Sequence, residues 1–367
     1  MSRSACVSST RLRGCHRFRR RYQRRSSAIW RVWMSEFRYQ RLPWQDPQWQ
    51  LLQQSLAQGR LPHALLLCGP PGLGKESFVL SFAQSLLCTR RAQDGLACGV
   101  CRHCQLLESG NHPDLRWLKP DEQGKSGEIT IEAIRSLTAS ASLTAHGGAY
   151  KVVAVQPAHR MNSAAANSLL KTLEEPTPRT VIMLLTDQPG RLLPTIRSRC
   201  QRVQFLPPDR AEAITWLAEK VTHEDPELLL TLANGAPLRA LQLDDSELLK
   251  ARGEMLSGFL QLPGGRRDPV GLARGWGGFD RKLLLEWLAG WVIDMIRLRE
   301  GVDSGLLFNR DLAQALQKTA DKLNSKALHG YLLQVYTARR SVESNLNPQL
   351  ALENLLISWR DCGTEAS

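Results

Sequence analysis

Residues 64–76, Ala-Leu-Leu-Leu-Cys-Gly-Pro-Pro-Gly-Leu-Gly-Lys-Glu, decide how this chain folds. The apolar run 64–68 reads as a short buried strand, and residues 69–75 satisfy the front of the phosphate-binding loop pattern, Gly-x-x-x-x-Gly-Lys. Such a loop works because its glycines let backbone N–H groups wrap an anion at a helix N-terminus, while the lysine reaches the outer phosphates. Gly69, Gly72, Gly74 and Lys75 are therefore the candidate nucleotide-binding residues. The next position breaks the pattern. Magnesium binding needs a Ser or Thr hydroxyl there, and the residue is Glu76. A carboxylate so placed repels phosphate by about 4 kcal/mol, for unit charges ~4 Å apart at an effective dielectric of ~20. Ser77 is no substitute, because one step along a helix turns the side chain by about a quarter of a turn. ATP binding is expected to be absent or weak, and the loop to persist as structure.

Outward from the loop, residues 44–59 carry Trp49, Leu52 and Leu56 at helical spacing. A second unit follows: residues 151–155 (KVVAV) and 181–186 (VIMLLT) are short apolar runs with the helical stretch 164–175 between them. Strands alternating with helices imply a parallel sheet covered on both faces. A nucleotide hydrolase of this layout ends its second strand on an Asp for magnesium and a Glu for water. Here stand Gln156 and Pro157, and the loss of a general base alone costs about 10²- to 10⁴-fold. After Pro207 and Pro208 the strand signals stop. A helical stretch at 210–220 and a turn at 234–237 predict a small helical domain. From 247 to 359 the pattern stays helical, broken only by a glycine-rich loop at 263–278, which predicts a third, all-α domain. No internal repeat is visible.

The chain has 367 residues, 43% hydrophobic and 23% charged, which suits a globular protein of two or three domains. Its formal charge of +13 suggests a nucleic-acid binder, but residues 1–33 hold ten arginines and no acidic residue, leaving +3 for the rest. A bulk electrostatic grip on phosphates is thus weakly supported for the folded part. The basic tail 1–33 is without periodicity and fits a disordered arm or a transit peptide; translation beginning at Met34 is the simpler reading. No stretch approaches the ~20 apolar residues of a membrane span. The most apolar helical run, 287–298, encloses Asp294 and reads as a core helix.

Cys88, Cys98, Cys101 and Cys104 have the spacing C-x9-C-x2-C-x2-C, with Gly95 and Gly99 to let the chain fold back. Four thiolates leave no open coordination position, so the expectation is a structural zinc rather than a catalytic one. Without a secretory signal a reducing compartment is expected, and disulfides are a poor alternative. His103 and His112 are expected at the surface. Cys6, Cys15, Cys68, Cys200 and Cys362 are expected as free thiols.

Together with the altered loop and the cysteine module, three further segments carry a family resemblance. They are Arg60-Leu61-Pro62-His63-Ala64, the run 166–176 ending Leu173-Glu174-Glu175-Pro176, and Ile196-Arg197-Ser198-Arg199-Cys200. Over residues ~40–240 the chain resembles the delta-prime family of bacterial DNA polymerase III clamp-loader subunits, and the helical remainder fits the family's collar. The resemblance implies an α/β fold of the AAA+ type: a P-loop-like parallel-sheet domain at 34–206 with the zinc module at 88–104, a helical lid at 207–245 and an oligomerising all-α collar at 246–367. It implies a non-hydrolysing stator in a cytoplasmic hetero-pentamer, between a gamma or tau motor subunit and the delta subunit. That machine places the sliding clamp on primed DNA, with no membrane partner. It also implies that Arg199 is an arginine finger reaching the gamma-phosphate held by the neighbouring motor, a task suited to a permanently charged, forked guanidinium. Arg197 is expected in a structural salt bridge, and Thr186 and Asp187 as scaffold. The Leu-Glu-Glu-Pro run is expected to be structural, near the subunit interface. The sensor arginine of motor subunits falls at Leu238, with Arg239 one step along. Two other readings stay open. An active AAA+ motor requires Ser or Thr at 76 and carboxylates at 156 and 157. A stand-alone zinc-dependent DNA-binding protein requires a basic face with stacking aromatics, of which only Arg90, Arg91 and Arg102 are present near the cysteines.

Overall fold

The computed structural model describes residues 39–120, 127–142, 150–341 and 347–362. The tail 1–33, Met34, Cys6 and Cys15 lie outside the described residues. The described chain forms two compact units: residues 39–212 with 236–239, and residues 213–235 with 240 onward.

In the first unit helix α1 (Asp46–Ala57) leads to strand β1 (Ala64–Cys68), the loop, and helix α2 (Lys75–Leu87). Helix α3 (Arg102–Glu108), strand β2 (Leu115–Leu118) and helix α4 (Ile131–Ser142) precede β3 (Lys151–Val155). Then come α5 (Ser163–Glu174), β4 (Thr180–Thr186), the short α6 (Pro194–Arg199) and β5 (Gln201–Gln204). All strand pairs are parallel, in the order β2-β3-β4-β1-β5. The α/β class with a parallel sheet expected from the sequence is the one observed.

Period-two alternation sorts each central strand onto both faces of the sheet. Leu65, Leu67 and Met183 join Trp49, Phe78, Phe82 and Phe205 on one side; Leu66, Cys68, Ile182 and Leu184 join Leu169, Ile196 and Cys200 on the other. That is why β1, β3 and β4 are mostly apolar and buried at every position: neither face meets water. On the first face Trp49 stands edge-on to Phe78 and Phe82 at 6.0 and 5.8 Å, and Phe78 edge-on to Phe205 at 5.1 Å. Burying each such ring contributes about 1.5–3 kcal/mol. Three central strands had clear sequence signals, but the edge strands did not. Leu-Arg-Trp-Leu of β2 and Gln-Arg-Val-Gln of β5 are interrupted by polar residues because an edge strand is partly solvated.

The second unit is all helical: α7 (Arg210–Ala218), α8 (Pro226–Leu232), α9 (Pro237–Gln242), α10 (Ser246–Leu260), α11 (Pro269–Trp276), α12 (Arg281–Arg299), α13 (Ala313–Ala320), α14 (Ser325–Ser341) and α15 (Pro348–Asp361), of which α7 and α9 begin in the first unit. Asp225, Asp245, Asp268, Asp280 and Asn347 each accept backbone N–H bonds at a helix start, removing donors that would go unpaired. One expectation is corrected here: residues 263–278 are not a plain loop, because α11 forms inside them. The Asp268-Pro269 cap and the burial of Ala273 and Trp276 outweigh the glycine content. The core is aromatic, with Trp359 stacked on Phe259 at 4.3 Å and its Nε1 donating to the Phe259 carbonyl at 2.9 Å. Asp294 lies fully buried in α12, as a core helix allows when the carboxylate is satisfied. It accepts from the Phe308 and Asn309 backbone and from the Asn309 amide.

Candidate functional site

The phosphate loop leaves the C-terminal end of β1, between β4 and β5, at the edge of the sheet where ligands of open parallel sheets bind. Its glycines are sterically required. A Cβ on Gly69 would lie 2.3 Å from the Phe205 carbonyl oxygen, and one on Gly72 would lie 2.6 Å from the Arg239 Cβ, with both residues at positive φ. The loop is braced by side chains the sequence did not single out. Trp44 Nε1 donates to the Leu73 carbonyl at 3.1 Å, and Gln45 Nε2 donates to the Leu73 and Gly74 carbonyls at 2.9 and 2.8 Å. Leu238 donates its backbone N–H to the Gly72 carbonyl at 3.1 Å. Lys75 folds back on the loop, its Nζ donating to the Gly69 and Pro70 carbonyls at 2.6 Å each. Burial pulls Lys75 down to about 8, against the charge of Asp187.

Glu76 does not stand there as a bare charge. Lys119 Nζ, from just beyond β2, lies 2.7 Å from its Oε1, and Gln156 Nε2 donates to its Oε2 at 3.1 Å. The residues at the two altered catalytic positions are thus hydrogen-bonded to each other, and an ammonium lies against the carboxylate where an active loop carries a metal-binding hydroxyl. Lys119 offsets the repulsion expected of Glu76 alone. Ser77 is buried, in line with its rejection as a metal ligand. Thr186 and Asp187 both contact the ring of buried His159, at 2.9 Å from Thr186 Oγ1 and 3.3 Å from an Asp187 carboxylate oxygen.

Arg199 is the last residue of α6. Its Nη2 lies 2.6 Å from Glu174 Oε1 at the end of α5, and its Nη1 donates to the Thr195 carbonyl at 3.1 Å. Both side chains are substantially exposed, at 36% and 49%. The salt bridge expected at Arg197 is not found among the described residues. Arg197 is exposed, and the ion pair falls to Arg199, whose side chain points toward the Leu-Glu-Glu-Pro segment.

The four cysteines of the module converge, with all four sulfurs within 4.8 Å of one another, so they could hold a metal ion. The Cys88 sulfur lies 3.6 Å from that of Cys98 and 3.9 Å from that of Cys101, and Cys101 lies 3.5 Å from Cys104. Backbone N–H groups of Arg90 and Cys98 donate to the Cys88 sulfur at 3.3 Å. Burial pushes the Cys101 thiol up, but donors from Cys104 and Thr89 outweigh it and bring the thiol down to about 5. The surface placement expected of His112 is corrected: it is buried, and its ring lies 2.9 Å from His103 Nδ1 while its Nδ1 accepts from the Asp114 N–H. A histidine with both ring nitrogens bonded needs no water contact. Cys68, Cys200 and Cys362 are in no disulfide, in keeping with the expectation.

No helix among the described residues is long and apolar enough to cross a membrane. A family model described as "DNA polymerase III, delta subunit" matches residues 44–209, and one described as its C-terminal part matches residues 246–361. Among known proteins, DNA polymerase III subunit delta' of Pseudomonas aeruginosa is 37% identical over 325 residues, covering 86% of this chain and 96% of that protein. The same subunit of Escherichia coli K12 is 34% identical over 320 residues, covering 86% and 94%. DNA polymerase III subunit tau/gamma of Haemophilus influenzae is 32% identical over 204 residues, covering 54% of this chain and 29% of that protein. With such identity across nearly the full length of both delta' relatives, this chain belongs to the delta' subunit family of the DNA polymerase III clamp loader.

Proposed function

We propose that the chain acts as a non-hydrolysing stator of the clamp loader, supplying an active-site arginine to a neighbour instead of running its own ATPase site. The observation that carries this reading is the Glu76 carboxylate, bonded by Lys119 and Gln156 at the position where a hydrolysing loop holds its metal. Gln156 and Pro157 cannot accept a proton from water and offer magnesium no carboxylate, so these two positions supply neither a metal ligand nor a general base. Its neighbours are a tau or gamma motor subunit and the delta subunit, in a cytoplasmic hetero-pentamer that loads the sliding clamp on primed DNA. Arg199, exposed at the end of α6, is the residue that reaches the neighbour's phosphate. The divisions of labour are a sheet domain at 34–206, a lid at 207–245 and a collar at 246–367.

Zinc is the metal we assign to Cys88, Cys98, Cys101 and Cys104. Four sulfurs ~2.3 Å from one zinc sit ~3.8 Å apart in a tetrahedron. The three close sulfur pairs, at 3.6, 3.9 and 3.5 Å, agree with that edge. A closed thiolate shell supplies structure and no reaction chemistry.

ATP hydrolysis by the purified chain tests the reading. Background rates are expected with or without magnesium. Steady hydrolysis that disappears in Lys75→Ala would instead make the chain a motor.

A further inference from the structure

We infer that Glu174 is a latch on Arg199: an internal carboxylate that holds the guanidinium until the neighbour's phosphate displaces it. This rests on the reading of Arg199 as a finger in trans. A carboxylate and a phosphate present a guanidinium with the same kind of target, anionic oxygens that accept its N–H bonds in a plane, so Glu174 stands in for the missing ligand. The position is otherwise poor for a carboxylate. Glu174 is the last residue of α5, where the helix dipole disfavours negative charge, and the Arg199 contact offsets that. Its place is fixed by the chain around it, since His63 Nε2 holds the Leu173 carbonyl at 2.9 Å and Pro176 bars continuation of the helix.

The geometry favours a releasable latch over a permanent brace. A bracing carboxylate is itself pinned by other donors, but Glu174 makes no other side-chain hydrogen bond among the described residues and is 49% exposed. The guanidinium, 36% exposed, spends one N–H on Glu174 and one on the Thr195 carbonyl, leaving three of its five donors for an incoming group. A phosphate with more than one negative charge outcompetes a single exposed carboxylate, and exposed pairs are weak enough to exchange. Holding the finger back in this way lowers the apparent affinity of the shared site for ATP, by about two- to fivefold for a pair of this exposure.

The experiment uses the reconstituted clamp loader containing this chain as wild type, Glu174→Gln, Arg199→Ala or the double variant, with clamp- and DNA-stimulated ATP hydrolysis measured across ATP concentration. The rate lost in Arg199→Ala defines the part due to the bordering site. For that part, Glu174→Gln is expected to lower the half-saturating ATP concentration about two- to fivefold and to leave the maximal rate within about twofold. In the Arg199→Ala background the Glu174→Gln change is expected to do nothing. An unchanged or raised half-saturating concentration, or an effect that survives in the Arg199→Ala background, overturns the latch while leaving the finger standing. An Arg199→Ala complex that hydrolyses ATP like wild type overturns the finger, and the latch falls with it.

Discussion

At the scale of single residues, the charges around the loop set measurable consequences. Lys75 is drawn down to about 8 from an ordinary value of 10.5 because it is buried against its own loop. A base depressed on folding binds fewer protons in the folded than in the unfolded chain between those two values, so stability rises with pH across that window. Below about pH 8 both states are protonated and the full cost of burying the ammonium remains. Lys75→Met is therefore expected to be more stable than wild type at pH 7, by on the order of 1–3 kcal/mol, with the gap closing above about pH 10. Urea midpoints of the two proteins at a series of pH values check this; parallel curves would mean that Lys75 titrates as an ordinary lysine. Lys75 and Glu76 were legible in the sequence, but the partners of Glu76 were not. Lys119 lies 43 residues from Glu76 and belongs to no motif, so only the parallel pairing of β2 with β3 brings it to Gln156 and the loop. Glu174 was visible as part of Leu-Glu-Glu-Pro, yet its pairing with Arg199 depends on how α5 and α6 pack, which spacing does not encode.

At the scale of elements, the cysteine module and the helical core carry separate predictions. Cys101→Ala removes one of four convergent sulfurs, and the purified variant is expected to hold less than one tenth of the wild-type zinc and to melt several degrees lower. Retention of both metal and melting temperature would exclude Cys101 from the ligand set. Trp359→Ala empties the stack on Phe259 and strips the buried carbonyl of its indole donor, so a loss of about 3–5 kcal/mol in denaturant unfolding is expected. A loss under ~1 kcal/mol would mean that the helices close over the gap. Elements were legible where burial was two-sided and the apolar run unbroken, as in β1, β3 and β4. The half-solvated edge strands β2 and β5 lacked that run, and α11 was hidden because its Asp-Pro cap sits among glycines that read as loop. The surface reading of His112 failed for a related reason: its burial is created by pairing with His103 and Asp114, a local arrangement with no periodic trace.

At the scale of the whole molecule, the chain has a phosphate-loop sequence on a parallel sheet, and that loop and the end of β3 are tied to each other through Glu76 and Gln156. On the proposed reading, Arg199, exposed at the end of α6, is the group through which the subunit acts on chemistry next door. On that reading, one ATP site of several in the loader borders this subunit. An arginine finger is worth about 10³- to 10⁵-fold at the site it serves, so its removal silences that site and lowers the bulk rate only in part. The decisive measurement is clamp- and DNA-stimulated ATP hydrolysis by a reconstituted loader carrying Arg199→Ala, with incorporation of the variant verified by size-exclusion chromatography. A partial fall in rate at full assembly, not restored by Arg199→Lys because a point-charge ammonium lacks the planar fork, is the expected result. An unchanged rate in a fully assembled complex would make Arg199 a structural residue and the subunit a passive wedge.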